Sequence, residues 1–410
     1  MIKIAVLGYG TVGSGVVEVI ATNKKLIEKR IGEELEIKYV LDLREFPDTP
    51  VEKLITHNFE DILNDDEVKI VVEVMGGIEP AYTFVKKSLM AGKSVATSNK
   101  ALVAKHGAEL LSIAKEKNIN FLYEASVGGG IPIIRALTSS LTGDEIIEIT
   151  GILNGTTNFM MSKMFSENAD YEAVLKEAQA RGFAERDPSA DVEGHDACRK
   201  IAILSSIISG KLVDFEDIYT EGITKVSQRD IQYAKAMGMK IKLLASCRRE
   251  KEVAGEDKLF AIVSPCYVSE SHPLYNIEGV FNSIFVKGNM LGDAMFYGSG
   301  AGKLPTASAV VGDIVEAAKN TNRSMMATWE AEKLQLADKS EMKKKFFVRV
   351  KGTPEALEEA LSEVFGEIQI VKLNGVEDEF GFVTSEMCEG VYEEKSGKFD
   401  QICHMVRIQD

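Results

Sequence analysis

Residues 2–17 read IKIAVLGYGTVGSGVV, and this stretch decides the fold. IKIAVL (2–7) has the character of a strand, and helical spacing runs over 12–30. Between them, GYGTVG places glycines at Gly8, Gly10 and Gly13. In a strand–turn–helix the first glycine permits a tight turn. The second lets the backbone approach a pyrophosphate, and the third packs helix on strand. The helix N-terminus then faces the anion. Gly8, Gly10, Thr11, Val12 and Gly13 are therefore the candidate cofactor loop. A plain turn is the competing reading, which the flanking strand and helix disfavour. At the end of the next strand, ELEIKYVL (34–41), stands Asp42, suited to a ribose 2′-OH and so to NAD. Arg44, two residues on, suits a 2′-phosphate and so NADP. The pair leaves both cofactors open.

Outward from this unit the pattern repeats. VKIVVEVM (68–75), KSVATS (93–98) and NINFLYEA (118–125) read as strands separated by helices. Such alternation predicts an α/β fold, a Rossmann-type doubly wound parallel sheet over 1–125. Ligands in such sheets sit beyond the carboxyl ends of strands. Lys100, in SNK, lies at one such end. Residues 126–299 read as an α+β domain with strands at 145–153, 258–268 and 281–288 and helices at 170–181 and 196–209. GSGAGKLPT and a helix through Ala318 follow, completing the first domain at about 300–320. A polar stretch over 319–345 has linker character. Strands and a helix over 345–410 suggest a ferredoxin-like βαββαβ module.

The balance of 48 Lys and Arg against 63 Asp and Glu gives a net charge of −15. So acidic a surface repels phosphate backbones, which argues against nucleic acid as partner. No apolar run reaches membrane-spanning length. Five cysteines show no metal spacing and no obvious pairing, and no basic leader precedes the first strand. These features lead us to expect a reduced, cytoplasmic protein.

Three further stretches carry chemistry. EASVGGGIP, Glu124 to Pro132, combines a carboxylate with accessible carbonyls and suits a hard cation, or else a glycine-rich hinge. ILNGTTNF, Ile152 to Phe159, has the small, amide and hydroxyl side chains of a substrate loop or an ordinary turn. SADVEGHDACRK, Ser189 to Lys200, sets Asp196 and Lys200 four apart on one helical face, before the apolar run IAILSSII. A surface ion pair of about 0.2–0.5 kcal/mol would explain the spacing. A partly buried lysine poised as a general acid would explain the apolar run as well.

Together, GYGTVGSGV, EVMGGIEP, ATSNKALVA, EASVGGGIPI, GILNGTTNF, RGFAERDPSADVEGHDACRK and FYGSGAGKLPTASAVV resemble the homoserine dehydrogenase family, in its order and rough spacing. The resemblance implies an NAD(P)H-dependent reduction of aspartate 4-semialdehyde to homoserine, toward threonine, isoleucine and methionine. It implies Lys200 as proton donor, with Asp196, Glu185 and Asp191 around the substrate. Lys100, Gly182, Gly300 and Gly302 would lie at the cofactor. Glu124 with Val127, Gly129 and Ile131 would hold a sodium ion. A homodimer, a C-terminal ACT-like domain with an amino-acid effector, and a monofunctional chain are also implied. Many members carry a basic residue right after the second strand, where this chain has Asp42 and Leu43. The ACT turn usually holds an Asp and a Pro-Gly pair, where this chain reads VKGTPEAL. A dinucleotide- and amino-acid-sensing protein without catalysis is the alternative from another class. It would be favoured by loss of Lys200, Asp196 or Glu185, all of which are present.

Overall fold

The structure is a computed structural model that describes residues 1–252, 255, 257–325 and 329–410. The chain forms two compact units. One comprises 1–145, 202–215 and 296–334, and the other comprises 146–201, 216–295 and 335–410.

In the first unit, β1 (Ile2–Leu7) runs into helix α1 (Thr11–Ile31). The strands β2 (Leu35–Leu41), β3 (Ile55–Thr56), β4 (Val68–Glu73), β5 (Ser94–Thr97) and β6 (Phe121–Leu122) follow. They form one parallel sheet in the order 3-2-1-4-5-6, the dinucleotide-binding order with its switch point beside β1. β-branched residues fill β1 and β4, and both strands are buried on both faces, as parallel sheets require. Ile4, Val6, Val16 and Ile20 pack with Ala307, Val310 and Ile314 in one core. The helix Lys303–Lys319 thus packs into the core of the nucleotide sheet.

The second unit is built on a long mixed sheet. Its strands lie in the order 281–288, 146–152, 240–250, 258–268, 402–409, 343–351, 379–384 and 368–371. The last four strands alone have the 4-1-3-2 order of a βαββαβ module, with helices Pro354–Phe365 and Glu389–Ser396 between them. Phe346, Val348, Leu361, Phe365, Phe382 and Tyr392 make its core.

Four features of the structure differ from the sequence reading or are missing from it. Contacts divide the chain into two units, where the pattern suggests domains at 1–125, 126–299 and 345–410. The C-terminal module belongs to the second unit because Cys266–Val268 pair in parallel with Arg407–Gln409. Ion pairs Arg407–Glu389 and Arg407–Glu221, at 2.5 and 3.0 Å, fasten the same strand. Second, of 118–125 only Phe121–Leu122 pair, since Glu124–Ser126 turn into a 3-10 helix. Third, the strand Lys240–Glu250 has no counterpart in the sequence reading, because its central residues are buried on both faces and give no period-two signal. The stretch expected as a linker contains a short strand, Glu330–Lys333, paired with Lys211–Leu212.

Candidate active site

The cofactor loop has the geometry its glycines predict. Gly8 has φ +98°, and its N–H donates to the Leu41 carbonyl at 2.7 Å. A Cβ on Gly13 would lie 2.0 Å from the Gly8 carbonyl oxygen, so only glycine allows this approach of helix to strand. Gly10 faces open space, with nothing within 4 Å of an added Cβ. α1 begins next to it at exposed Thr11, with Val12 against the core and no acidic residue in the first turn. Its free N–H groups and positive dipole end therefore suit an anion. A cleft of about 490 Å³ opens here, lined by Gly8, Gly10, Asp42, Arg44, His57 and Met75 among others.

Asp42 and Arg44, read as alternatives in the sequence, are bonded to each other. Asp42 Oδ1 accepts Arg44 Nε–H at 2.9 Å, and Oδ2 accepts Arg44 Nη2–H at 2.9 Å and Tyr9 N–H at 2.8 Å. The Arg44 guanidinium, with the backbone N–H groups of Tyr9 and Arg44, holds the Asp42 carboxyl well below the usual range.

At the end of β4, fully buried Glu73 accepts Thr97 Oγ1–H at 2.6 Å and Met75 N–H at 2.8 Å. Burial raises its carboxyl above the ordinary range. Asn99 caps the helix Lys100–Glu116 and donates to the Gly77 carbonyl at 2.5 Å. The SNK loop with Lys100 is thereby laced to the glycines after β4.

In the stretch Glu124 to Pro132 the carboxylate has partners in the main chain. Glu124 is buried, yet its two carboxylate oxygens accept the N–H groups of Ile134 and Arg135, each at 2.8 Å. Asp313, fully buried and pushed up to about 7 by that burial, accepts Glu124 N–H and pairs with Arg135 at 2.5 Å. The Glu124 carboxylate thus serves first as a helix cap. Among the described residues no group of three or more His, Cys, Asp or Glu could hold a metal. Gly129 lies against Gly300: a Cβ on it would fall 2.3 Å from the Gly300 carbonyl oxygen. Gly302 follows at φ +112°, immediately before the helix Lys303–Lys319.

The second unit gathers the remaining candidates. Lys200, on the helix His195–Ser209, is 7 % exposed, and Asp196 one turn before it is 4 % exposed. Lys200 Nζ donates to Asp196 Oδ2 at 2.8 Å and to the Leu153 carbonyl at 2.7 Å. This is a buried pair, so the reading as a surface ion pair falls. Asn154 joins the cluster: its Nδ2 donates to Asp196 Oδ2 at 2.9 Å and to Asp191 Oδ1 at 2.7 Å. Its Oδ1 accepts Thr157 N–H at 2.8 Å and so caps the helix Gly155–Glu167. Glu185 is exposed, and its contact with Gln179 runs through its main-chain carbonyl. Gly182, φ +73°, closes the helix Tyr171–Ala180 on the same connecting segment. The structure therefore assembles Lys200, Asp196 and Asp191 and leaves the Glu185 carboxylate outside their hydrogen bonds.

One turn beyond Asn154, Asn158 Nδ2 donates to the carbonyls of Gly279 and Phe281 at 3.0 and 3.1 Å. Fully buried Lys242 donates to Asn158 Oδ1 at 3.3 Å and to the Ile277 carbonyl at 2.5 Å. Burial lowers its ammonium to about 8, against a smaller opposing pull from Glu278. Between pH 8 and the ordinary lysine value of 10.5 the unfolded chain holds the proton that the folded chain has lost. Stability therefore rises with pH across that window through this group. We expect Lys242→Met to flatten the rise, measured as urea midpoints against pH.

A nucleotide loop on a 3-2-1-4-5-6 parallel sheet, with a buried lysine–carboxylate cluster elsewhere in the chain, defines an NAD(P)-dependent dehydrogenase. A family model described as homoserine dehydrogenase matches residues 132–315, and one described as its NAD binding domain matches 8–124. The homoserine dehydrogenase of Mycobacterium leprae is 46 % identical over 321 residues, covering 78 % of this chain and 73 % of that protein. That of Bacillus subtilis is 42 % identical over 323 residues, covering 78 % and 73 %. The crystal structure of a homoserine dehydrogenase from Thiobacillus denitrificans superposes with a TM-score of 0.90 at 34 % identity, covering 100 % of this chain and 98 % of that one. A hyperthermophilic archaeal homoserine dehydrogenase in complex with NADPH has a TM-score of 0.65 at 29 % identity, covering 77 % and 97 %. The chain belongs to the homoserine dehydrogenase family.

Proposed function

We propose that the chain reversibly reduces L-aspartate 4-semialdehyde to L-homoserine, with Lys200 giving the proton to the carbonyl oxygen. The buried Lys200–Asp196–Asn154–Asp191 cluster carries this reading. Bound NADH or NADPH supplies the hydride. As negative charge grows on the aldehyde oxygen, the Lys200 ammonium stabilises it and transfers a proton. Asp196 and the Leu153 carbonyl favour the charged ammonium before transfer. Asp191, Asp196 and the exposed Glu185 would attract the substrate ammonium. Gly8, Gly10, Thr11, Val12 and Gly13 would hold the pyrophosphate, with Lys100, Gly182, Gly300 and Gly302 around the rest of the cofactor. The experiment is turnover of aspartate semialdehyde by wild type and by Lys200 variants. Wild-type turnover absent in protein that binds cofactor would overturn the proposal.

The Asp42–Arg44 pair makes cofactor choice testable. Asp42→Ala frees Arg44 and removes the acceptor for a 2′-OH. We expect kcat/KM to fall about 10- to 150-fold with NADH and to rise with NADPH, in line with the ~1.5–3 kcal/mol of a charged hydrogen bond. Arg44→Ala leaves Asp42 to repel a 2′-phosphate, so NADPH use falls and NADH use holds. Equal effects of either variant on both cofactors would contradict this assignment.

The same reading extends to a dimer, to a role in threonine, isoleucine and methionine synthesis in the cytoplasm, and to a sodium ion held by Glu124 with the carbonyls of Val127, Gly129 and Ile131. The 4-1-3-2 strand order supports an ACT-type effector module at the C-terminus. Its divergent turn, VKGTPEAL, sets apart any effector chemistry there.

A further inference from the structure

We propose that Asn154 is a positioning residue for the proton transfer, setting the place of Asp196 and through it the aim of Lys200. This rests on the function proposed above. The side chain is 6 % exposed, and each of its ends has a fixed job. Oδ1 accepts Thr157 N–H at 2.8 Å and Thr157 Oγ1–H at 3.0 Å. An amide oxygen so engaged forces Nδ2 to the other side, where both its hydrogens meet carboxylates: Asp191 at 2.7 Å and Asp196 at 2.9 Å. The helix cap thus settles the orientation of the amide, and the amide holds two carboxylates that would otherwise repel each other.

Lys200 touches this arrangement twice. It donates to the same Asp196 oxygen that Asn154 holds, and to the carbonyl of Leu153, the residue before Asn154. Helix and loop therefore fix Lys200 through one dipeptide, Leu153–Asn154. A general acid must meet its oxygen within hydrogen-bond reach, so a displaced partner costs rate more than binding. Asn is also a preferred capping residue, and a cap alone would account for Oδ1. It does not account for the two carboxylates on Nδ2.

Two substitutions separate the roles. Asn154→Ser and Asn154→Asp both keep a capping oxygen for Thr157 N–H. Neither can donate to Asp191 and Asp196 as the amide does, and aspartate adds a third negative charge there. We expect kcat to fall about 10- to 100-fold in both, in the range of a misplaced catalytic group. Asn154→Asp should be the slower, with cofactor KM unchanged and melting temperatures near wild type. Lys200→Met is measured in parallel. If Lys200→Met abolishes turnover while both Asn154 variants keep wild-type kcat, the positioning role is wrong and the proposed function stands. If Lys200→Met keeps turnover, the proposed function itself falls. Lower melting temperatures with unchanged kcat in the folded protein would reduce Asn154 to a cap and overturn the inference.

Discussion

Lys200→Ala folds, binds NAD(P)H and loses turnover by about 10²–10⁴-fold, the contribution of a positioned general acid. Lys200 is the cationic member of a cluster with Asp196 and Asp191, joined through Asn154. On the proposed function, removing the ammonium takes away both the proton and the charge that would meet the growing alkoxide. The loss should appear in kcat, with cofactor affinity untouched. Truncation also leaves Asp196 buried beside a hole, and breaking a buried pair costs about 3–5 kcal/mol. The Asn154 amide still donates to that carboxylate and tempers the cost. Lys200→Met fills the volume, and Lys200→Met with Asp196→Asn removes the lone charge, so a folded inactive enzyme is within reach. Stopped-flow rates with saturating cofactor would read the effect directly. Turnover within threefold of wild type in any folded variant would contradict the assignment.

Gly13→Ala carries the second large effect, at the cofactor. Its Cβ would stand 2.0 Å from the Gly8 carbonyl oxygen, a backbone atom that no rotamer change can move aside. Strand and helix must separate, and the pyrophosphate loop opens. A misplacement of about 1 Å costs about 10²-fold at a binding or catalytic site, so cofactor KM should rise by that factor and thermal stability should fall. Gly10→Ala is the informative control. Nothing lies within 4 Å of its added Cβ, so the fold should be unharmed. On the proposed function the pyrophosphate would approach through this open space, so cofactor affinity should still drop. Isothermal titration with NADPH and NADH, beside melting curves, separates the two. Wild-type affinity in both variants would remove the loop from the cofactor site.

The first unit was readable because its signals are local. Strand, glycine loop and helix follow one another within residues 2–31, and the β-branched runs mark strands that are buried on both faces. The helix Lys303–Lys319 was also readable, through its glycine-rich approach and apolar face. The second sheet was harder. Lys240–Glu250 gives no alternation because it is a central strand, and its pairing partners lie far away in sequence. The joining of Cys266–Val268 to Arg407–Gln409 is a contact across the length of the module, which no local pattern announces.

At the site, spacing alone put Asp196 and Lys200 on one face but could not tell a surface pair from a buried one. Burial decides it. Asn154 and Glu73 went unmarked as individuals, although ILNGTTNF and EVMGGIEP contain them. An asparagine before Gly-Thr-Thr is a capping signal, and that signal was available. Its second use, on two carboxylates, depends on residues 37 and 42 positions away and was not. The Glu124 carboxylate has a use that its residue type does not announce: it accepts the amides of Ile134 and Arg135, ten and eleven positions on.

The central claim meets its most direct test in the absorbance of the reduced nicotinamide, followed with purified protein and aspartate semialdehyde, with NADH and NADPH in turn. The account predicts oxidation of at least one cofactor, homoserine as the product, and loss of the signal in Lys200→Met. No oxidation of either cofactor, in protein shown to bind one of them, would contradict it.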